Sequence, residues 1–247
     1  MRKKILITGA SAGLGAEMAR QFAALGRDLA LCARRTDRLD ALRDELTAAH
    51  PGIRVSTRQL DVTDHDAVFE VFRSFDEEFG GLDRVVVNAG IGKGRPVGTG
   101  GFAANRRTAE TNFVAALAQC EAAMEVFYRR ERGHLVLISS VSAVRGMPKS
   151  MTTYAATKAA VSSLAEGIRA DTLGTPIRVS AVLPGYIRSE MNPEQHAPLL
   201  VGTTAGVRAM VRAIERERPT ACVPRWPWRV LAPVIRHAPL GLIRRVL

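Results

Sequence analysis

Ile5-Leu6-Ile7-Thr8-Gly9-Ala10-Ser11-Ala12-Gly13-Leu14-Gly15 lies almost at the start of the chain, and its reading decides the fold. The apolar run Ile5 to Ile7 reads as a buried strand. Three glycines at G-x-x-x-G-x-G spacing follow, and Ala16 to Phe22 then carries the apolar periodicity of a helix. Glycines let a backbone turn tightly and approach a ligand, and the N-terminus of a helix favours negative charge. Strand, glycine turn and helix together form a site for a phosphate-bearing nucleotide.

The 247 residues suffice for one large core, expected here as a single domain over 1–247. Hydrophobic content of 47% and mean hydropathy of +0.01 describe a soluble globular chain. There is no apolar run of membrane-spanning length, and Met1-Arg2-Lys3-Lys4 leads straight into the first strand, so neither a signal peptide nor a membrane span is expected. Cys32, Cys120 and Cys222 are few and far apart, which fits a reducing cytoplasm and argues against disulfides or a cysteine zinc site. The scattered histidines offer no metal-binding spacing, so no metal is expected. Net charge of +11 is read as a basic surface with phosphate sites, not as nucleic-acid binding.

Outward from the glycine turn, candidate strands alternate with candidate helices, the pattern of a parallel sheet covered on both faces. Strands are expected at Asp28 to Ala33, Arg54 to Gln59, Val85 to Val87, Leu135 to Ile138, Arg178 to Leu183 and Ala221 to Val223. Thr36 or Asp37 is expected to cap a helix to His50, and Thr63 or Asp64 one to about Glu78. Two alanine-rich helices, Ala103 to Arg130 and Met151 to Thr172, suit close packing, including against a second subunit. Thr203 to Arg216 completes the helices before the tail.

Tyr154-Ala155-Ala156-Thr157-Lys158 places a phenol and an ammonium on one face of a helix. A free phenol, with a pKa of about 10, is a poor acid–base group near neutrality unless a neighbouring cation favours its ionised form. Ser139-Ser140 ends one strand and Asn88-Ala89-Gly90 follows another, at edges that can face a ligand. Asn112 interrupts a helical stretch where asparagine is a poor helix former.

Together these residues resemble the short-chain dehydrogenase/reductase family. The resemblance runs from about Lys4 to Ser189 and adds Asp61-Val62 and Pro184-Gly185 to the motifs above. It implies one Rossmann-type, doubly wound α/β domain with about seven parallel strands. It implies Tyr154 as general acid or base in hydride transfer to a ketone or aldehyde, or from a secondary alcohol. Lys158 would bind the nicotinamide ribose and lower the tyrosine pKa, and Ser140 would hydrogen-bond the carbonyl oxygen. Asn112 would hold a water. Gly9, Ser11, Ala12, Gly13, Leu14 and Gly15 would cradle the cofactor phosphates, Asp61 and Val62 the adenine. Asn88, Ala89 and Gly90 would support the pocket, with Pro184, Gly185, Ile187 and Ser189 at the nicotinamide. Fourteen positions separate Ser140 from Tyr154, a small insertion around Pro148-Lys149 that leaves Ser139 as an alternative to Ser140.

The second strand ends in Arg34-Arg35, where an NAD enzyme usually offers a carboxylate, so NADPH/NADP+ is the expected cofactor, with Arg34 meeting the 2′-phosphate and Arg35 behind it. Lys93, Arg95 and Arg145 are candidates to greet an anionic substrate group. Tyr186 to Gly202, with Pro193 and Pro198, is the expected lid, and an apolar or lipid-like substrate the expected guest. In the tail, 218–247, arginines alternate with two apolar faces, Trp228, Leu231, Ile235 and Leu240, Ile243, Leu247. Cover for the cleft or core is the expectation there. A subunit interface and contact with an anionic membrane are the alternatives.

Overall fold

The computed structural model describes residues 2–92, 94–189 and 199–246. Lys93, Pro193, Pro198 and Leu247 lie outside them. The first half runs β1 (Lys4–Thr8), α1 (Gly13–Ala24), β2 (Asp28–Ala33), α2 (Thr36–Ala49), β3 (Val55–Gln59), α3 (His65–Glu78), β4 (Arg84–Val87), α4 (Phe102–Ala109) and α5 (Ala115–Arg129). The second half runs β5 (Gly133–Ile138), α6 (Thr152–Asp171), β6 (Ile177–Pro184), α7 (Thr203–Glu215), β7 (Thr220–Val223), α8 (Arg225–His237) and α9 (Leu240–Val246).

The strands form one seven-stranded sheet in the order β3-β2-β1-β4-β5-β6-β7, every neighbouring pair parallel. Side chains alternate across it, as extended backbone requires. Leu6, Val85, Val87, Leu135 and Leu137 face one core layer, which they share with Phe72, Phe75 and Phe127. Ile5, Ile7, Val86, Val136 and Ile138 face the other, with Met18, Phe22 and Met210. A strand covered on both faces favours apolar, β-branched residues, and Val85, Val86 and Val87 of β4 are all buried. Chain order reverses where β4 lands beside β1, and the crevice at the carboxyl ends of those two strands is where ligands bind in such sheets.

The helix caps follow the sequence only in part. Asp64 caps α3, accepting from the Ala67 amide at 3.1 Å. Neither Thr36 nor Asp37 caps α2; the helix begins at Thr36, one position earlier than those caps require, and its N-cap residue Arg35 makes no side-chain capping bond. The long helix expected after Ala103 is α4 and α5 joined by a π-helical turn, Glu110–Val114. That turn carries one extra residue and rotates Asn112 to full burial.

At the opposite, amino end of the sheet lies a buried ionic cluster. Arg84 donates through Nε to His134 Nδ1 at 2.9 Å and pairs with Glu215, which also accepts from Arg27 at 2.6 Å. His134 Nε2 meets Ser180 Oγ at 2.8 Å. Burial, then the positive charges of Arg84 and Arg2, hold the His134 pKa well below the ordinary histidine value, so the ring is neutral.

Candidate active site

The glycine turn is held in place by Asn88. Its Nδ2 donates to Thr8 O at 2.9 Å, while its backbone amide and that of Ala89 donate to Thr8 Oγ1 at 3.0 and 3.1 Å. Those bonds tie the ends of β1 and β4 together. Gly9 has φ +65°, and a Cβ on Gly15 would lie 2.3 Å from Gly9 O, so the turn closes only with glycine at both positions. Ala12, the N-cap of α1, offers no side-chain bond, leaving the helix end open to an anionic ligand.

A cavity of ≈ 400 Å³ opens beside this turn. Gly9, Ala12, Gly13, Leu14, Gly15, Arg35, Asn88, Ala89 and Gly90 line it from one side. Ser140, Tyr154, Lys158, Pro184, Gly185, Ile187 and Ser189 line it from the other. Ser11 touches it through Arg35, whose Nε and Nη2 donate to Ser11 Oγ at 3.3 and 3.2 Å. Arg35 therefore faces the glycine turn. Arg34, the residue before it, is exposed at the end of β2, close enough to Asp61 for its charge to act on that carboxyl. Burial raises the Asp61 pKa, but hydrogen bonds from the Thr63 amide and hydroxyl, with the Arg34 charge, outweigh it and hold the carboxyl below the usual range. Val62 is buried beside it.

The two adjacent serines both line the cavity but make different bonds. Ser139 is buried and donates to Lys158 O at 2.8 Å, with Ser162 Oγ also at 2.8 Å, so it fixes β5 to α6. Ser140 lines the cavity, accepts from the amide and hydroxyl of Ser142, and hydrogen-bonds Tyr154. Lys158 donates through Nζ to Ile138 O at 2.8 Å, and its ammonium stands 5.9 Å from the Tyr154 ring centroid. Burial pulls the Lys158 pKa down to about 8. Burial also raises the Tyr154 pKa, against the opposing Ser140 hydrogen bond. Ser140 pulls the tyrosine pKa down, burial exceeds that pull, and Lys158 stands beside the ring.

Asn112 is a clamp. Its Oδ1 accepts from the Ile91 amide at 2.8 Å, and its Nδ2 donates to Ile91 O at 3.0 Å and toward Thr157 Oγ1 at 3.4 Å. Arg145, expected to greet substrate, instead donates to the Ile235 carbonyl at 2.9 Å and to that of Ala238, closing the C-terminus of α8. Arg95 is exposed, and its backbone amide donates to Asn105 Oδ1. Ile187 pairs with Val201, so the two ends of the expected lid are clasped together.

Trp228 belongs to the tail face expected to cover the cleft or core. It is buried, stacks edge-on to Tyr186 with centroids 5.3 Å apart, and lies against Gly185. The apolar spacing of the tail marked its inward face; the contact with Gly185 and Tyr186 comes from the fold.

Residues 3–199 match the family model described as short chain dehydrogenase. The chain belongs to the short-chain dehydrogenase family. It is an oxidoreductase of that family, with the family's fold. An uncharacterized oxidoreductase of Mycobacterium tuberculosis is 54% identical over 99% of this chain and 97% of its own length. A short-chain dehydrogenase from Sphingobium yanoikuyae, solved in complex with NADPH, is 29% identical, with TM-score 0.83 over 99% of this chain and 96% of that one. A short-chain dehydrogenase/reductase from Burkholderia phymatum, solved in complex with NAD, shares the fold at 24% identity and TM-score 0.84, over 100% of this chain and 96% of that one.

Proposed function

We propose that the protein is an NADP(H)-dependent reductase of an apolar ketone or aldehyde, with Tyr154 as general acid. The observation that carries this reading is the meeting of Ser140, Tyr154 and Lys158 in one cavity with the glycine turn. NADPH, when bound, supplies the hydride that reduces the carbonyl. The open N-terminus of α1 and the Gly9–Gly15 turn fit its phosphates, with Lys158 toward the nicotinamide ribose and Ile187 and Ser189 beside the ring. Tyr154, held protonated by burial at neutral pH, donates its proton to the carbonyl oxygen as that oxygen becomes an alkoxide. Ser140 hydrogen-bonds the same oxygen and stabilises the developing charge. Asn112 holds the loop after β4 against α6, keeping Lys158 in register. In the oxidative direction the proton moves the opposite way.

For the cofactor, support comes from Arg35, a guanidinium that lines the cavity and donates to Ser11 Oγ, where an NAD enzyme usually presents a carboxylate. Asp61 and Val62 stand ready for the adenine. Fluorescence titration with NADPH and NADH tests this. Tighter NADPH binding is expected, and Arg35→Asp should weaken NADPH by about tenfold or more while sparing NADH. Equal binding of both cofactors would point to an NAD-dependent alcohol dehydrogenase, and binding of neither to a non-catalytic protein. Screening apolar ketones by loss of nicotinamide absorbance, with Tyr154→Phe as control, then tests the reaction. We also propose a single domain that assembles as a homodimer or homotetramer through the long alanine-rich helices, where Phe102, Val114 and Tyr128 remain exposed; sedimentation velocity measures the assembly.

A further inference from the structure

A second cleft, of ≈ 840 Å³, lies between α7, β7 and α8, apart from the candidate active site. Arg212, Arg216 and Arg218 line it from α7 and the turn that follows, and Arg225, Arg229 and Arg236 from α8; among the described residues no acidic side chain lines it. All six are exposed, and none meets a carboxylate among the described residues. Elsewhere in the chain Arg2, Arg20, Arg27, Arg43, Arg54, Arg58 and Arg84 are each paired with Asp or Glu. Six uncompensated guanidinium groups around one cleft repel each other, and an anionic partner relieves that repulsion.

Beside the arginines runs an apolar ridge. α8 turns Trp228 and Ala232 inward, while Val230 and Val234, one turn apart, face solvent. Trp226 is 76% exposed at the head of the helix, and Leu240 and Leu242 of α9 are 71% and 53% exposed. No acidic residue follows Glu217 to the end of the chain. We propose that this face seats the protein on an anionic lipid bilayer. Headgroup phosphates enter the arginine cleft, and Trp226, Val230, Val234, Leu240 and Leu242 sit in the interfacial layer. A second copy of the chain fits poorly, because a two-fold contact would set arginines against arginines. A nucleic-acid backbone would satisfy the arginines and leave the apolar ridge without a role.

The placement has a consequence for the neighbouring cavity. Trp228 of the same helix packs on Tyr186, and Arg145, just past the turn that follows Ser140, holds the carbonyls at its end. Seating α8 on a bilayer brings the mouth of the candidate active site to the surface from which a membrane-dissolved substrate arrives. The docking itself does not depend on the proposed reaction.

The test is flotation of the full chain with phosphatidylcholine vesicles, with and without phosphatidylglycerol. Binding at least about tenfold stronger to the anionic vesicles, and released by salt, is expected of the unmodified protein. Arg229→Glu with Arg236→Glu should weaken it by about tenfold or more. Val230→Ser with Val234→Ser should weaken it several-fold at unchanged melting temperature and NADPH affinity. Absence of binding, or equal binding to both vesicle types, overturns the proposal. So does loss on arginine substitution alone together with displacement by inorganic phosphate or duplex DNA, which would assign the cleft to a soluble anion or to nucleic acid. The salt release needs no variant and decides the electrostatic half on its own.

Discussion

The Trp228 indole occupies the space that a side chain on Gly185 would need: a Cβ there would lie 1.9 Å from Trp228 Nε1. The contact joins the residue after β6, on the cavity wall, to α8, which packs over it. Gly185→Ala must therefore push out a ring that is buried against the core, and a loss of about 1–3 kcal/mol is expected. Trp228→Ala should cost more, about 3–5 kcal/mol, since it leaves a cavity. Urea unfolding of both variants measures this; an unchanged midpoint for Gly185→Ala would show that the ring is free to move.

The two serines at the end of β5 should differ in kind. Ser140→Ala removes the hydroxyl beside Tyr154 and should lower kcat by about a hundredfold with little change in melting. Ser139→Ala leaves the Lys158 carbonyl and Ser162 without their buried partner, and should lower stability by about 1–3 kcal/mol while activity per folded molecule stays within a few-fold. Steady-state kinetics with melting curves separates the two, and interchanged phenotypes would reverse the assignment of Ser140 to the cavity chemistry.

Lys158 gives the reaction a pH limb. Its pKa is pulled down to about 8, so the ammonium proposed to hold the cofactor ribose is lost as pH rises through that value. Reductive kcat/KM should fall above about pH 8, and in Lys158→Arg, whose guanidinium stays charged, the limb should disappear from whatever activity survives. A limb unchanged in that variant would assign it to another group.

At the far end of the sheet, His134 ties stability to pH. Its folded pKa lies below the ordinary 6.5, so between 6.5 and the folded value the unfolded chain binds the proton and the native state does not. Stability is thus complete above about pH 6.5 and falls with acidification, by up to about 1.4 kcal/mol per pH unit. His134→Gln, which can still accept from Arg84 and donate to Ser180, should flatten that slope in urea unfolding between pH 5 and 7. A slope identical to that of the parent would exclude His134 as its source.

Local chemistry made much of this protein legible in its sequence. A strand, three spaced glycines and a helix start have one common geometric solution, and a run of valines has no stable place but a doubly covered strand, so the sheet and its crevice followed from short stretches. Tyr154 and Lys158 were legible because four residues is about one helical turn. What tertiary structure alone decided depends on direction. Which of Ser139 and Ser140 bonds Tyr154, and which of Arg34 and Arg35 faces the glycine turn, rests on the phase with which a strand ends, and neighbouring residues of like chemistry carry no record of that phase. The rotation of Asn112 by one extra residue in a helix, the retreat of Arg145 to the end of α8, and the seat of Trp228 against Gly185 all depend on partners 21 to 93 positions away in the chain. Periodicity can say that a face is buried; only the assembled fold says against what.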